Sequence, residues 1–269
     1  MQLIRLSEVR SSEVRLSPFS RLSEEGHLSL RGTLSSWDEH LYSSNLSIFP
    51  LLIAVSFLFP SSNLSSIMKS HWENIYNNKQ LHEVSWYQPT PTTSLALIEM
   101  LNLPSDARII DIGGGDSLLL DNLLQHGFTD ISVLDISAKA LERARRRVGE
   151  DSGSKVNWIE ADISTYDPKT IYDLWHDRAV FHFLTEPKAV AHYVAISSAH
   201  IKKGGYLIVA TFAEDGPFKC SGLPIQQYNE ESLSAVFAEN FETLRVFKEV
   251  HLTPTAKEQS FVFALMKRK

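Results

Sequence analysis

Apolar and polar positions follow two rhythms along this chain, and the clearest change from one to the other lies between Ala107 and Leu124. An apolar run ends at Asp111, three glycines follow (Gly113, Gly114 and Gly115), and a leucine-rich stretch with helical spacing begins at once. That order predicts strand, tight turn and helix, the opening unit of a nucleotide-type α/β fold. Glycine suits such a turn because it adopts φ > 0 and lets backbone approach a ligand that a Cβ would obstruct. Strand patterns recur at about Ile131 to Ile136, Val156 to Asp162, Tyr172 to Asp177 and Tyr206 to Phe212, with helical patterns between them. The end of the chain breaks the alternation. Two extended segments, Thr243 to Leu252 and Gln259 to Met266, flank a Thr-Pro-Thr turn and predict a closing β-hairpin.

Helix ends are legible too. Asp116 is expected to cap the helix that buries Leu119, Leu120, Leu123 and Leu124, and Ser137 to cap the next, whose inner face is Ala140, Leu141 and Ala144. Arg143, Arg145, Arg146 and Arg147 read as the solvated face of that second helix.

Residues 1–67 behave differently. Short Leu-Ser and Ser-Glu-Val-Arg fragments repeat without a sustained period, which predicts a poorly ordered, low-complexity extension. Within it, residues 48–60 are uncharged and apolar but shorter than the roughly 20 residues a membrane span needs. They also lie too far from the start for a signal peptide. Membrane contact there is not favoured, and a cytoplasmic location is expected. The working domain is expected over 68–269, with Met68 a candidate start. It opens on Ser70 to Lys79, a short amphipathic segment with Ser70 as its cap. Pro89 and Pro91 then put Trp86, Tyr87 and Gln88 on a loop, where they either cover a core edge or form a flap over a ligand.

Composition changes this picture little. Apolar residues at 43% and charged residues at 22% suit a globular domain, and a net charge of -6 offers nucleic acid no general attraction, so no nucleic-acid partner is expected. The single cysteine, Cys220, excludes an intrachain disulfide and a cysteine-built metal cluster, and no metal site is expected. The chemistry lies in four acids that end strands: Asp111, Asp135, Asp162 and Asp177. All fall on the carboxyl edge of one parallel sheet, where open α/β folds bind ligands. Asp135, about twenty residues past the glycine turn, stands where an acid commonly accepts from a ribose, though it could equally cap the following helix. No Gly-Lys-Ser/Thr follows the glycines, which disfavours nucleotide hydrolysis.

On these residues the chain resembles the class I S-adenosylmethionine-dependent methyltransferases, from about Ser70 to Lys269. The family's acid-x-Gly-x-Gly-x-Gly motif corresponds to Asp111–Ser117, with Ser117 in place of the last glycine. The resemblance implies a doubly wound, seven-stranded α/β sheet, mostly parallel, closed by an antiparallel hairpin. It implies S-adenosyl-L-methionine as cofactor, with Asp111, Gly113, Gly114 and Gly115 at its methionine end. Asp135 with Ile136 would meet the ribose, Asp162 with Ile163 the adenine, and Trp86 would line the site from its loop. Asp177 and the Arg178–Phe183 segment would lie beside the methyl group. The run from Trp175 to Leu184 marks a subgroup with some likeness to methyltransferases that modify lysines on translation factors.

The implied activity is methyl transfer to an oxygen or nitrogen acceptor, on a protein side chain such as lysine or on a small metabolite. Asp177 is the candidate to orient the acceptor or assist proton uptake. His182 is the candidate base, since imidazole titrates near neutrality, with a core histidine as the plain alternative. His176 neighbours Asp177 in its strand and is expected to point away. Ser221, Gln227 and Tyr228, in the loop from Asp215, are candidate acceptor contacts. The competing readings are a nicotinamide-dependent oxidoreductase, disfavoured because Leu118 interrupts Gly-x-Gly-x-x-Gly, and a non-catalytic cofactor-binding or scaffold protein.

Overall fold

Strands that bury both faces need apolar residues at nearly every position, and the runs noted above supply them. The computed structural model describes residues 61–269; residues 48–60 and the repetitive segment ahead of them lie outside the described part. In chain order come α1 (Ser61–Asn78), α2 (Thr92–Met100), β1 (Arg108–Ile112), α3 (Leu119–Gln125), β2 (Asp130–Asp135), α4 (Ala138–Gly153) and β3 (Val156–Glu160). Then follow β4 (Tyr172–Arg178), α5 (Pro187–His200), β5 (Ile201–Phe212), a short ribbon of β6 (Lys219–Cys220) and β7 (Leu223–Pro224), α6 (Glu230–Phe237), β8 (Phe241–Leu252) and β9 (Glu258–Arg268). Seven strands form one sheet in the order β3-β2-β1-β4-β5-β9-β8. Strands β1 to β5 are parallel, and β9 is antiparallel to both β5 and β8. The doubly wound sheet and its reversed closing hairpin are therefore as the sequence predicts. Among the described residues, no helix is long and apolar enough to cross a membrane.

Strand alternation splits the core in two. On one face Ile110, Ile112 and Trp175 pack with Tyr193 of α5 and Phe237 of α6. On the other, Ile109, Val133 and Leu174 pack with Leu97 of α2 and Leu120 and Leu123 of α3. Residues 174 and 175 of β4 thus belong to opposite faces, and that parity decides what the rest of the strand can do.

Three local expectations are corrected. Helix α1 runs unbroken through Met68 and Ser70, so Ser70 caps nothing. Asp116 does not cap α3, whose first turn is served by the Ser117 hydroxyl accepting from the Leu119 N–H at 3.1 Å. Asp116 is buried instead between Arg143, at 2.8 Å, and Arg147, which also pairs with Asp121 at 2.8 Å. Arg143 and Arg147 are four apart on α4 and share a face, so both turn inward; Arg145 and Arg146 stay exposed. A buried carboxylate needs such partners, and that need overrides the polar look of the helix. Ser137 does cap α4, accepting from the Ala140 N–H at 3.1 Å. Arg143 further donates to the Tyr76 and Lys79 carbonyls, at 2.9 and 2.7 Å, and so fastens the end of α1 to α4.

Asp116→Ala would leave two partly buried guanidinium groups facing each other. It should cost about 3 kcal/mol in urea unfolding, whereas Arg145→Ala on the exposed face should stay within about 0.5 kcal/mol. Equal effects of the two substitutions would contradict the assigned clamp.

Candidate functional site

The glycine turn rests directly on two carboxylates. A Cβ at Gly114 would lie 2.5 Å from Asp111 Oδ2 and 2.9 Å from Val133 Cγ1, and one at Gly115 (φ +34°) would collide with Asp135. The turn is glycine because acids at the ends of β1 and β2 fill the space beneath it. Asp135 is buried and accepts from the Ser137 N–H at 2.8 Å. Burial, with the charges of Asp111 and Glu73 added, pushes its carboxyl up to about 7 against the pull of that N–H. One strand further along the edge, the Ala161 N–H donates to the Asp135 carbonyl. Asp162 follows there, holding its own loop by accepting from the Ser164 N–H at 2.9 Å. Ile136 is half-buried, and Ile163 joins the core.

Asp111 begins a hydrogen-bonded chain. Its Oδ1 meets His176 Nδ1 at 2.7 Å, and His176 Nε2 meets the Ser94 hydroxyl at 2.8 Å. All three residues are at most 3% exposed. With the carboxylate as acceptor, Nδ1–H is the donor to Asp111, and Nε2 is left to share the Ser94 hydroxyl. The second oxygen of Asp111 is buried without a partner. These three residues line a recess at the carboxyl edge together with Gly113, Gly114, Trp86, Tyr87, Gln88 and Arg178. Trp86 packs edge-on against Trp72 and Tyr76, with ring centroids 5.8 and 6.3 Å apart. Trp72 packs in turn on Phe183 at 5.4 Å. The loop before α2 and the end of α1 thus roof the recess with aromatic surface.

The parity of β4 reverses one expectation. His176 and Arg178 face the recess, as Leu174 does the α2 side, while Asp177 falls with Trp175 on the α5 side. Asp177 is fully buried and fully engaged. It accepts from the Val180 and Phe181 N–H groups at 2.9 and 3.2 Å and from the Tyr193 hydroxyl at 2.7 Å. Burial raises its carboxyl to about 6, with the Tyr193 and backbone bonds pulling the other way. It braces the strand end and does not reach the recess. His182 does not reach it either. It is fully buried between Phe183 and Phe212, and its Nδ1 accepts from the Phe212 N–H at 3.3 Å. Burial, and the neighbouring Arg178 charge, push its imidazole down to about 3, too low for a base near neutrality.

The loop after β5 does not line the recess. Gln227 donates to the Gly216 and Pro217 carbonyls at 2.8 and 3.2 Å, and Tyr228 packs into the core on Phe181. Ser221 sits at the turn of the β6–β7 ribbon with φ 51°. Ser94 and the role of His176 escaped the sequence reading. Counting in twos from the buried Leu174 would have found His176, but nothing in the sequence brings Ser94 beside it.

His182 should therefore stay neutral across the ordinary range. Its imidazole nitrogen shifts should be flat from pH 8 to pH 5, and a titration centred near 6.5 would contradict this placement.

Residues 110–207 match the family model described as "Methyltransferase domain". The chain is 26% identical over 148 residues to a malonyl-[acyl-carrier protein] O-methyltransferase of Ilyobacter polytropus, covering 53% of this chain and 52% of that one. It is 23% identical over 191 residues to the EEF1A lysine methyltransferase 2 of Danio rerio, covering 66% and 76%. The chain thus spans about half the length of the first relative and three quarters of the second. Among solved structures it is similar to the 1,6-didemethyltoxoflavin-N1-methyltransferase of Burkholderia thailandensis, with a TM-score of 0.58, 17% identity and coverage of 79% and 92%. A S-adenosylmethionine-dependent methyltransferase from Anabaena variabilis gives 0.60 at 14% identity, over 77% and 96%. Strand order, reversed last strand and these likenesses agree: the chain has the class I S-adenosylmethionine-dependent methyltransferase fold.

Proposed function

We propose that the protein transfers a methyl group from S-adenosyl-L-methionine to an oxygen or nitrogen acceptor, on a small metabolite or on a protein side chain such as lysine. The observation that carries this reading is the glycine turn laid over Asp111 and Asp135 at the carboxyl edge of the sheet. The residues fit the cofactor. The unpartnered oxygen of Asp111 suits a cationic amino-acid end, and Asp135 suits donation from ribose hydroxyls. Asp111, Gly113, Gly114, Gly115 and Trp86 would hold the methionine end, Asp135 and Ile136 the ribose, and Asp162 and Ile163 the adenine. When bound, the group supplies a methyl carbon already activated by a sulfonium.

The chain's own task is then to align the acceptor, exclude water and take up a proton where the acceptor carries one. In place of Asp177 and His182, we assign proton uptake to Ser94, His176 and Asp111. The acceptor's proton passes to the Ser94 oxygen as the Ser94 proton moves to His176 Nε2, and Asp111 stabilises the resulting imidazolium. The aromatic roof of Trp72, Tyr76 and Trp86 keeps the recess dry. Both acceptor classes have a relative behind them, one named for a malonyl-[acyl-carrier protein] and one for a lysine. The same reading carries a cytoplasmic location, in keeping with a buried, unpaired Cys220 that needs no oxidising compartment.

Calorimetry with S-adenosylhomocysteine should show binding, and Asp135→Ala should weaken it by about 1.5–3 kcal/mol. Ribose donors require ionised Asp135, whose carboxyl titrates at about 7. Affinity should therefore fall roughly tenfold as pH drops from 8 to 6, about 1.4 kcal/mol per tenfold. A pH-independent affinity, or preferential binding of a nicotinamide dinucleotide, would remove the assignment. With labelled S-adenosylmethionine and a fractionated lysate, label should enter an acceptor fraction. His176→Gln should slow that transfer by roughly 100-fold or more while leaving S-adenosylhomocysteine affinity within about twofold.

A further inference from the structure

Arg178 is the last residue of β4 and the one lysine or arginine among the residues lining the recess. Its Nη1 donates to the Trp86 carbonyl at 3.2 Å, and its guanidinium lies over the Phe261 ring, 4.8 Å from the centroid. Its other edge is bare: Nε and Nη2 are closed off from solvent and have no hydrogen-bond partner. Leaving charged donors buried and unmatched is costly, so an edge kept this way is set for something that arrives. Nε–H and Nη2–H of one guanidinium project in parallel, the fork that receives both oxygens of a carboxylate.

Most nearby carboxylate oxygens hold other partners, the free Oδ2 of Asp111 being the exception. Asp111 Oδ1 is held by His176, Asp116 by Arg143 and Arg147, and Glu249 accepts from the Thr93 hydroxyl. With a single cation on the wall, and Asp111 beside it, the recess suits a singly charged group better than a dianionic phosphate. Position along the edge says whose group it is. Asp162 and Asp135 lie beyond β3 and β2, and the glycine turn follows at β1. Arg178 stands on the far side, at β4, and its guanidinium meets the ring of Phe261, a residue of β9 two strands further on. This is the side of the glycine turn opposite the acids assigned to the nucleoside. We propose that Arg178 is the receptor for a carboxylate carried by the methyl acceptor, gripped side-on through Nε and Nη2. The inference rests on the methyl-transfer reading and narrows its acceptor to a carboxylate-bearing small molecule.

The test is calorimetry on the full chain saturated with S-adenosylhomocysteine, titrated with acetate, malonate, succinate and benzoate. At least one should bind the wild type, and both Arg178→Met and Arg178→Lys should weaken it tenfold or more. Lysine keeps the charge and loses the fork. S-adenosylhomocysteine should still saturate both variants, and neither should melt much earlier than the wild type. No binding by any of the four, equal binding by Arg178→Met, or a much lower melting temperature in that variant would overturn the proposal. So would loss of S-adenosylhomocysteine binding in Arg178→Met with 5′-methylthioadenosine binding unchanged, since the carboxylate would then be the donor's own. Failure of S-adenosylhomocysteine to bind even the wild type would mark a different fault, in the methyl-transfer reading itself.

Discussion

The structure depends most on the burial of two carboxylates directly under a glycine turn. Asp111 and Asp135 occupy the space that Cβ atoms at Gly114 and Gly115 would need. An acid in such a place must find donors, lose its charge, or wait for a ligand. Asp111 takes the first course with one oxygen, through His176, and the last with the other. Asp135 takes the Ser137 N–H, and burial raises its carboxyl to about 7. The carboxyl edge of the sheet is thus left with unmet hydrogen-bonding capacity, in keeping with a pocket evolved around a polar ligand rather than around its own packing.

Around that edge the chain spends its charged residues on holding the frame. Asp116 bridges Arg143 and Arg147, and these tie the turn before α3 to α4 and, through the carbonyls of Tyr76 and Lys79, to α1. Asp177 ties the end of β4 to Tyr193 of α5. His182 holds the following turn against the Phe212 N–H. Asp116 and Asp177 are buried and paired, Asp116 at the border of the recess, whereas His182 keeps its Nε2 without a partner. Arg178 differs from them as a buried cation with two of its three guanidinium nitrogens idle. The contrast separates the polar groups that build the edge from those left to meet what binds there.

How much of this could be read from the chain alone follows from what each feature depends on. The strands, the glycine turn, the Ser137 cap and the closing hairpin rest on local pattern, which needs only neighbours in sequence, and they were legible. The acids Asp111 and Asp135 were legible as strand ends before a turn. The choice between Asp177 and His176 was not. Successive residues of a strand face opposite ways, and which way is inward depends on the register of β4 between β1 and β5. His182 looked like a base by its chemistry, and only its enclosure by Phe183 and Phe212 makes it inert.

The sequence by itself determined the alternating α/β order, the turn that admits no side chain and the acids beneath it, because periodicity and glycine geometry act over a few residues. Tertiary structure alone decided that Ser94, His176 and Asp111 join across 82 and 65 positions of chain, and that two of four helix arginines turn inward. It also decided that Arg178 ends with a bare fork over Phe261. Such pairings are set by which strands lie side by side and what the dry space between them will tolerate, and no short stretch of the chain contains that information.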